Sequence, residues 1–247
     1  MNSHIVNEFN IYQDKLWKFT NPDNSWKEVT EKRKLIHERL SRFCDSHSDD
    51  PEHIDKVVKC LIRGVSLLES AINWHEPYIG KNRKNYARSR ASQWRLVMTY
   101  SGFEITAKAL MNKFNRSEGA DATQKIIDKC NLPNYEKLEP PNPEKKSNFD
   151  KWLTKEEATE NAIAEFLGVT SGDAKIIKRW IAQSEPIESW ENAVKLAKAL
   201  RNASAHGFLL AKKVKDWGLE PGLAILTGNL AEIVTIGLKT LISEDLE

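Results

Sequence analysis

Apolar positions recur at three- and four-residue steps along most of this chain, the spacing that gathers them on one face of a helix. Ile54, Val57, Val58, Leu61, Val65 and Leu68 make one such stripe, opened by Asp50-Pro51, an N-cap followed by proline at the first helical position. Leu96, Tyr100, Phe103, Ala107, Leu110 and Phe114 make another, inside a helix predicted over 90–115. Ala193, Leu196, Ala197, Leu200 and Ala203 line a helix over 189–205, for which Gly207 suits the C-terminal cap. Ser25 and Glu28 have the spacing of a capping box and predict a helix to about 43, with Leu35 and Leu40 inward. Thr154 and Glu157 have the same form and predict a helix to 167. Shorter helices are expected over 123–130 and 174–182, and a final one over 227–241. The pattern breaks at 74–80. Pro133, Pro140, Pro141 and Pro143, in a polar, lysine-rich setting, mark 132–148 as an exposed loop inserted between bundle helices. Period-two alternation is nearly absent, so the predicted class is all-α. N-terminal helices over 1–75 are expected to pack on a helical core over 76–247, and the whole chain can form one domain.

Composition narrows the class further. The 247 residues suffice for a sizeable core, and the net charge of +2 excludes a polybasic tail protein without excluding a local basic groove. Cys44, Cys60 and Cys130 are odd in number and scattered, which reads as reduced cytoplasmic thiols and not as a disulfide or zinc framework. Residues 1–10 lack the basic start and apolar run of a secretory signal. No apolar stretch is expected to approach membrane-spanning length, so no membrane partner is expected. No histidine, cysteine or aspartate spacing suggests a metal site, and no glycine-rich loop precedes a helix, so no cofactor is expected.

The candidate chemistry lies at the end of the 189–205 helix, in Arg201-Asn202-Ala203-Ser204-Ala205-His206-Gly207. An Arg-x4-His spacing alone is common, and the chain contains a decoy in Arg42 and His47. The decoy lacks the asparagine and runs into Asp49 and Asp50, acids that would repel RNA. In the second copy, Asn202 and His206 are four apart and share a face, off the Leu200 stripe. Arg201 stands at the border between that face and the core. An imidazole titrates near neutrality and can take or give a proton. A guanidinium is permanently charged and forks onto two phosphate oxygens. Lys81, Arg83, Lys84, Arg88, Arg90 and Arg95 follow with no acid between Glu76 and Glu104, interleaved with Tyr78, Tyr86 and Trp94. Cations that track phosphates beside rings that stack on bases suit single-stranded nucleic acid.

The Arg-Asn-x-x-x-His run resembles the signature of the HEPN superfamily, helical ribonucleases that use no metal. The resemblance implies a HEPN-type bundle, a homodimer whose two motifs share a cleft, and a defence, stress or toxin–antitoxin setting with an antitoxin or regulatory partner. It assigns Arg201, Asn202 and His206 to cleavage of RNA through its 2′-hydroxyl. Glu104 is the one charged residue between Leu96 and Ala107, and a carboxylate in such a run needs a partner. Acidic residues on an earlier helix often face the HEPN motif, which implies Arg201 as that partner. Two other readings stay open: a HEPN-like RNA-binding or dimerisation module without catalysis, and a helical DNA-binding protein favoured by the basic stretch.

Overall fold

The computed structural model describes residues 3–20, 30–74, 86–155 and 159–242. It is all-helical: α1 (Ser3–Thr20), α2 (Thr30–Ser41), α3 (Pro51–Ile72), α4 (Ala87–Leu110), α5 (Gly119–Lys129), α6 (Pro143–Lys155), α7 (Glu160–Leu167), α8 (Ser171–Ile181), α9 (Trp190–Ala205), α10 (Ala211–Asp216) and α11 (Glu220–Ile242). Among the described residues no strand forms; an isolated antiparallel bridge joins Leu138 to Ile187. The chain divides into two compact units. One holds residues 1–70, 101–133 and 230–247, the other 71–100 and 134–229, so α3, α4 and α11 have residues in both.

In the first unit the stripe of α3 is buried from Ile54 to Leu68, as its spacing predicts. α1 has no counterpart among the predicted helices; Phe9 and Leu16, seven apart, are its buried anchors. α3 and α4 approach backbone to backbone at Gly64 and Gly102. A Cβ on Gly64 would stand 2.9 Å from the Gly102 carbonyl oxygen, and one on Gly102 would stand 2.6 Å from that of Gly64. Only glycine permits that crossing. Arg39 is buried and donates to the carbonyls of Leu241 and Ile242 at 3.4 and 3.3 Å, a cation at the carbonyl end of α11.

In the second unit, helix starts follow local chemistry more than stripe spacing. Asn142 accepts from the amide of Glu144 at 2.9 Å and Pro143 takes the first helical position, so α6 begins inside what the prolines predicted to be loop. Thr154 lies within α6, not at a helix start; Thr159 caps α7 instead, accepting from Ala162 at 3.3 Å. The Ser25 capping box lies outside the described residues. α4 stops at Leu110, short of 115, because the chain turns into a left-handed conformation at Asn112 (φ 52°). α11 starts at Glu220, seven residues before the predicted start. Its 23 residues are long and apolar enough to cross a membrane, against the expectation that no apolar stretch approaches spanning length, and most of them are buried, as in a core helix.

Helix propensity favours alanine over glycine by about 1 kcal/mol, so the sign of a Gly102→Ala change reports the close crossing. The clash with Gly64 and Leu68 reverses the preference, and Gly102→Ala lowers stability by about 1–3 kcal/mol. A thermal melt checks it; an unchanged or raised midpoint contradicts the crossing.

Candidate active site

The motif helix α9 owes its start to Ser189, whose hydroxyl accepts from the amide of Asn192 at 3.2 Å. Its inner face is built largely of alanine. Ala193, Ala197, Ala199 and Ala203 are buried with Leu196 and Leu200, so neighbouring elements come close. The helix ends at Ala205; His206 is its cap (φ −81°, ψ −1°) and Gly207 turns left-handed at φ 77°. The His206 amide donates to the Asn202 carbonyl at 3.1 Å, and the Leu209 amide returns to Ala203 at 2.9 Å. The turn that carries the histidine is therefore hydrogen-bonded on both sides.

A second fastening comes from α4. Gln93 is buried, and its amide nitrogen donates to the Leu209 carbonyl at 2.6 Å and to the Ser204 hydroxyl at 3.3 Å. One side-chain amide thus ties the last turn of α9 to the segment after Gly207. Sequence reasoning missed it. The signal was present: Ser89, Gln93, Leu96 and Tyr100 continue the inward stripe of α4 backwards with polar residues, and a buried amide needs partners.

Arg201 is half-buried. Its Nη1 donates to the side-chain oxygen of Asn202 at 2.9 Å, and its guanidinium carbon lies 5.5 Å from the centre of the buried Tyr100 ring. A cation over an aromatic face and against an amide oxygen is held in direction as well as in place. Asn202 is likewise half-buried, and its oxygen is turned to the guanidinium and not to an imidazole. His206 is exposed, one turn beyond Asn202 and outside the core stripe. The structure thus brings Arg201 and Asn202 together and leaves the His206 ring open to solvent.

Glu104 is half-buried, as its apolar neighbourhood predicts. Its oxygen is 3.1 Å from the ammonium of Lys108, one turn along the same helix. This i,i+4 pair was legible in the sequence but stands one residue past the apolar stretch. Glu104 also lies against Gly119, where α5 begins. Glu104 belongs to the first unit and Arg201 to the second.

The basic stretch is only partly described. Lys81, Arg83 and Lys84 lie outside the described residues. Arg88 projects into solvent with 86% of its side chain exposed and has Glu220 at 3.5 Å. Arg90 is half-buried and engaged. Arg95 donates to the carbonyl of Trp74 at 2.8 and 3.3 Å, a structural use of the charge. Burial pushes the Cys130 thiol up to about 12 and raises that of Cys60, which disfavours the thiolate at both.

The decoy is a structural device. Arg42 is exposed and His47 is buried. His47 Nε2 donates to the Leu110 carbonyl at 2.9 Å, so its Nδ1 is left to accept, and His53 Nε2 donates to it at 3.1 Å. His37 Nε2 donates to the His47 carbonyl at 2.9 Å. Replacing His47 would take its Nε2 donor from the Leu110 carbonyl, a cost to the fold and not to chemistry at Arg201 and His206.

No family model, curated protein or solved structure matches the chain.

Burial holds His47 and His53 below the usual imidazole range, and nearby His37 and Lys56 add to it, against Asp50, which raises His53. The unfolded chain therefore takes up protons first. Both histidines contribute stability that is full above pH about 6.5 and lost as the pH falls through their depressed folded values. The melting temperature should fall on acidification from about pH 7 to about pH 5, and the His47→Gln chain, less stable at neutral pH, should show a shallower fall. Equal slopes in the two proteins would contradict the assignment.

Proposed function

We propose that the protein is an endoribonuclease that cuts RNA without a metal, by attack of the 2′-hydroxyl on the adjacent phosphate. The observation that carries this reading is the Arg201–Asn202 hydrogen bond one turn before an exposed His206, at a helix end fastened by Gln93. His206 takes the proton from the 2′-hydroxyl as its oxygen bonds to phosphorus. Arg201 neutralises the charge that builds on the non-bridging oxygens, with its direction set by Asn202 and Tyr100. Asn202 keeps its NH2 group to donate to a phosphate oxygen, since its carbonyl is given to Arg201. The bond from phosphorus to the 5′-oxygen breaks, leaving a 2′,3′-cyclic phosphate and a 5′-hydroxyl.

The departing 5′-oxygen needs a proton, and one histidine cannot easily hold and supply it together. A homodimer in which a second copy contributes its own His206 answers this, as the HEPN resemblance implies. Restraint of a toxic activity by an antitoxin or regulatory partner in a defence or stress setting belongs to the same proposal. The exposed phase of His206 supports the shared cleft, because a ring in solvent is free to meet its copy.

The expected outcome is cleavage of single-stranded RNA that survives EDTA. His206→Ala should reduce it by about 10²–10⁴-fold, with stability changed by no more than about 0.5 kcal/mol, as befits an exposed site. Arg201→Ala should also abolish cleavage, and Arg42→Ala should leave it intact. Gel analysis of labelled RNA reads all of these; cleavage that persists in His206→Ala, or stops on chelation, would falsify the mechanism.

A further inference from the structure

Helices α6 and α10 lie against each other through an aromatic cluster. Phe149 meets Trp217 edge-on with ring centres 4.7 Å apart, and Trp152 lies 5.3 Å from Trp217. Asn148 donates to the Asp216 carbonyl at 2.9 Å. Lys145 crosses Gly218 so closely that a Cβ there would stand 2.9 Å from its own Cβ. This packing fixes the lysines of both helices with respect to each other. Lys145, Lys146 and Lys151 come from α6, and Lys212, Lys213 and Lys215 from α10. The acids on the same helices are Glu144, Asp150 and Asp216, and Asp216 is taken by Lys212. Lys215 lies 5.6 Å from the centre of the Tyr86 ring, beside the start of α4, where Arg88 is paired with Glu220. A chain whose net charge is only +2 has concentrated cations here.

Phe208 stands in the chain between the α10 lysines and the candidate active site, two residues after His206 and three before α10. It is 47% exposed. Its ring is seated on Gly168, the left-handed cap of α7 at φ 60°, with ring carbon Cγ 3.0 Å from where a Cβ would be. One side of the ring rests on that glycine while nearly half its surface is open. Lys212 is paired with Asp216 and Lys213 lies over the Trp152 and Trp217 rings at 5.6 and 5.3 Å, so both ammonium groups are held in place a few residues after Phe208. An exposed ring followed in the chain by such cations is a pairing that binds single-stranded nucleic acid: bases stack on the ring and phosphates follow the cations. A duplex offers no free base to the ring. An anionic membrane fits less well: Val214, the apolar residue in the middle of α10, is fully buried, so the exposed apolar surface here is Phe208 and Leu210 before the helix and not a helix face that could insert.

We infer that Phe208 and the lysines of α6 and α10 form the binding track of a single-stranded RNA, with a base on Phe208 and the neighbouring phosphates on Lys212, Lys213, Lys215 and Lys145. This rests on the reading of Arg201 and His206 as a ribonuclease site, and it names the residues that would hold that site's substrate. Phe208 follows His206 by two residues in the chain, so a base stacked there would bring its strand to the His206 turn, with the lysines holding the part that leads away from it.

Binding is measured separately from cutting, on the full chain carrying His206→Ala, with a labelled single-stranded RNA of about 12 nucleotides in fluorescence anisotropy. Phe208→Ala should weaken binding by about 5- to 150-fold, and Phe208→Trp should restore it. The combined Lys212→Gln, Lys213→Gln and Lys215→Gln variant should bind more weakly and flatten the plot of log affinity against log salt by about 2, from about 0.7 per lost phosphate contact. Lys175→Gln, on α8, should change neither. Unchanged affinity and salt slope in the triple lysine variant overturn the track, as does binding to phosphatidylserine vesicles but not to RNA. If the unsubstituted chain cuts RNA through His206 and the triple variant cuts it with the same kcat/KM, the track fails and the ribonuclease reading stands. If the unsubstituted chain binds through Phe208 and the lysines yet cuts nothing, the ribonuclease reading fails and the track stands.

Discussion

The amide of Gln93 is the constraint on which the candidate site depends. The end of a helix leaves carbonyls without partners, and the residues beyond it are free to wander unless something holds them. Here the Leu209 carbonyl and the Ser204 hydroxyl are both met by one buried side chain from α4. The His206 turn lies between these two fastenings. Buried amide hydrogen bonds are worth little in net stability but are costly to leave unmade, so this contact specifies one geometry more than it adds energy. Arg201 is aimed by a similar logic. The Asn202 oxygen and the Tyr100 ring leave a cation few directions to point, and preorganised charge is what a phosphoryl transfer asks of a protein.

The helices most legible in the sequence were those with long apolar stripes. The stripe from Ile54 to Leu68 and the alanine-rich face of α9 needed only period 3.6 to be found, and both are buried. Boundaries were read less well where a single hydrogen bond decides them. Proline density marked 132–148 as loop, yet Asn142 and Pro143 together start a helix there. Thr154 looked like a cap because Glu157 follows it, but a helix already running from Pro143 absorbed it. α1 went unseen because few apolar residues anchor it, and its buried face includes the polar Gln13.

For the site, the exposed phase of His206 and the border position of Arg201 followed from helix geometry alone. What did not follow was which polar contacts form. Lys108, one turn along the same helix, is a partner of Glu104 that the i,i+4 spacing makes legible and that the search for a partner on another helix passes over. Gln93 was passed over because a glutamine carries no formal charge, although its place on a buried stripe required partners. The decoy histidine shows the converse: His47 shares the Arg-x4-His spacing, but its ring is committed to the Leu110 carbonyl and to His53, so spacing without exposure yields structure and not chemistry.

The central claim is that a 2′-hydroxyl, activated at His206, is the nucleophile. The most direct measurement replaces that one hydroxyl by hydrogen at a mapped cleavage position in an otherwise unchanged RNA. Binding should be nearly unaffected, since phosphates and bases remain, while cutting at that position should cease and neighbouring positions should still yield 2′,3′-cyclic phosphate ends. Undiminished cleavage at the deoxy position would contradict the account, because the attacking oxygen would then have to come from water.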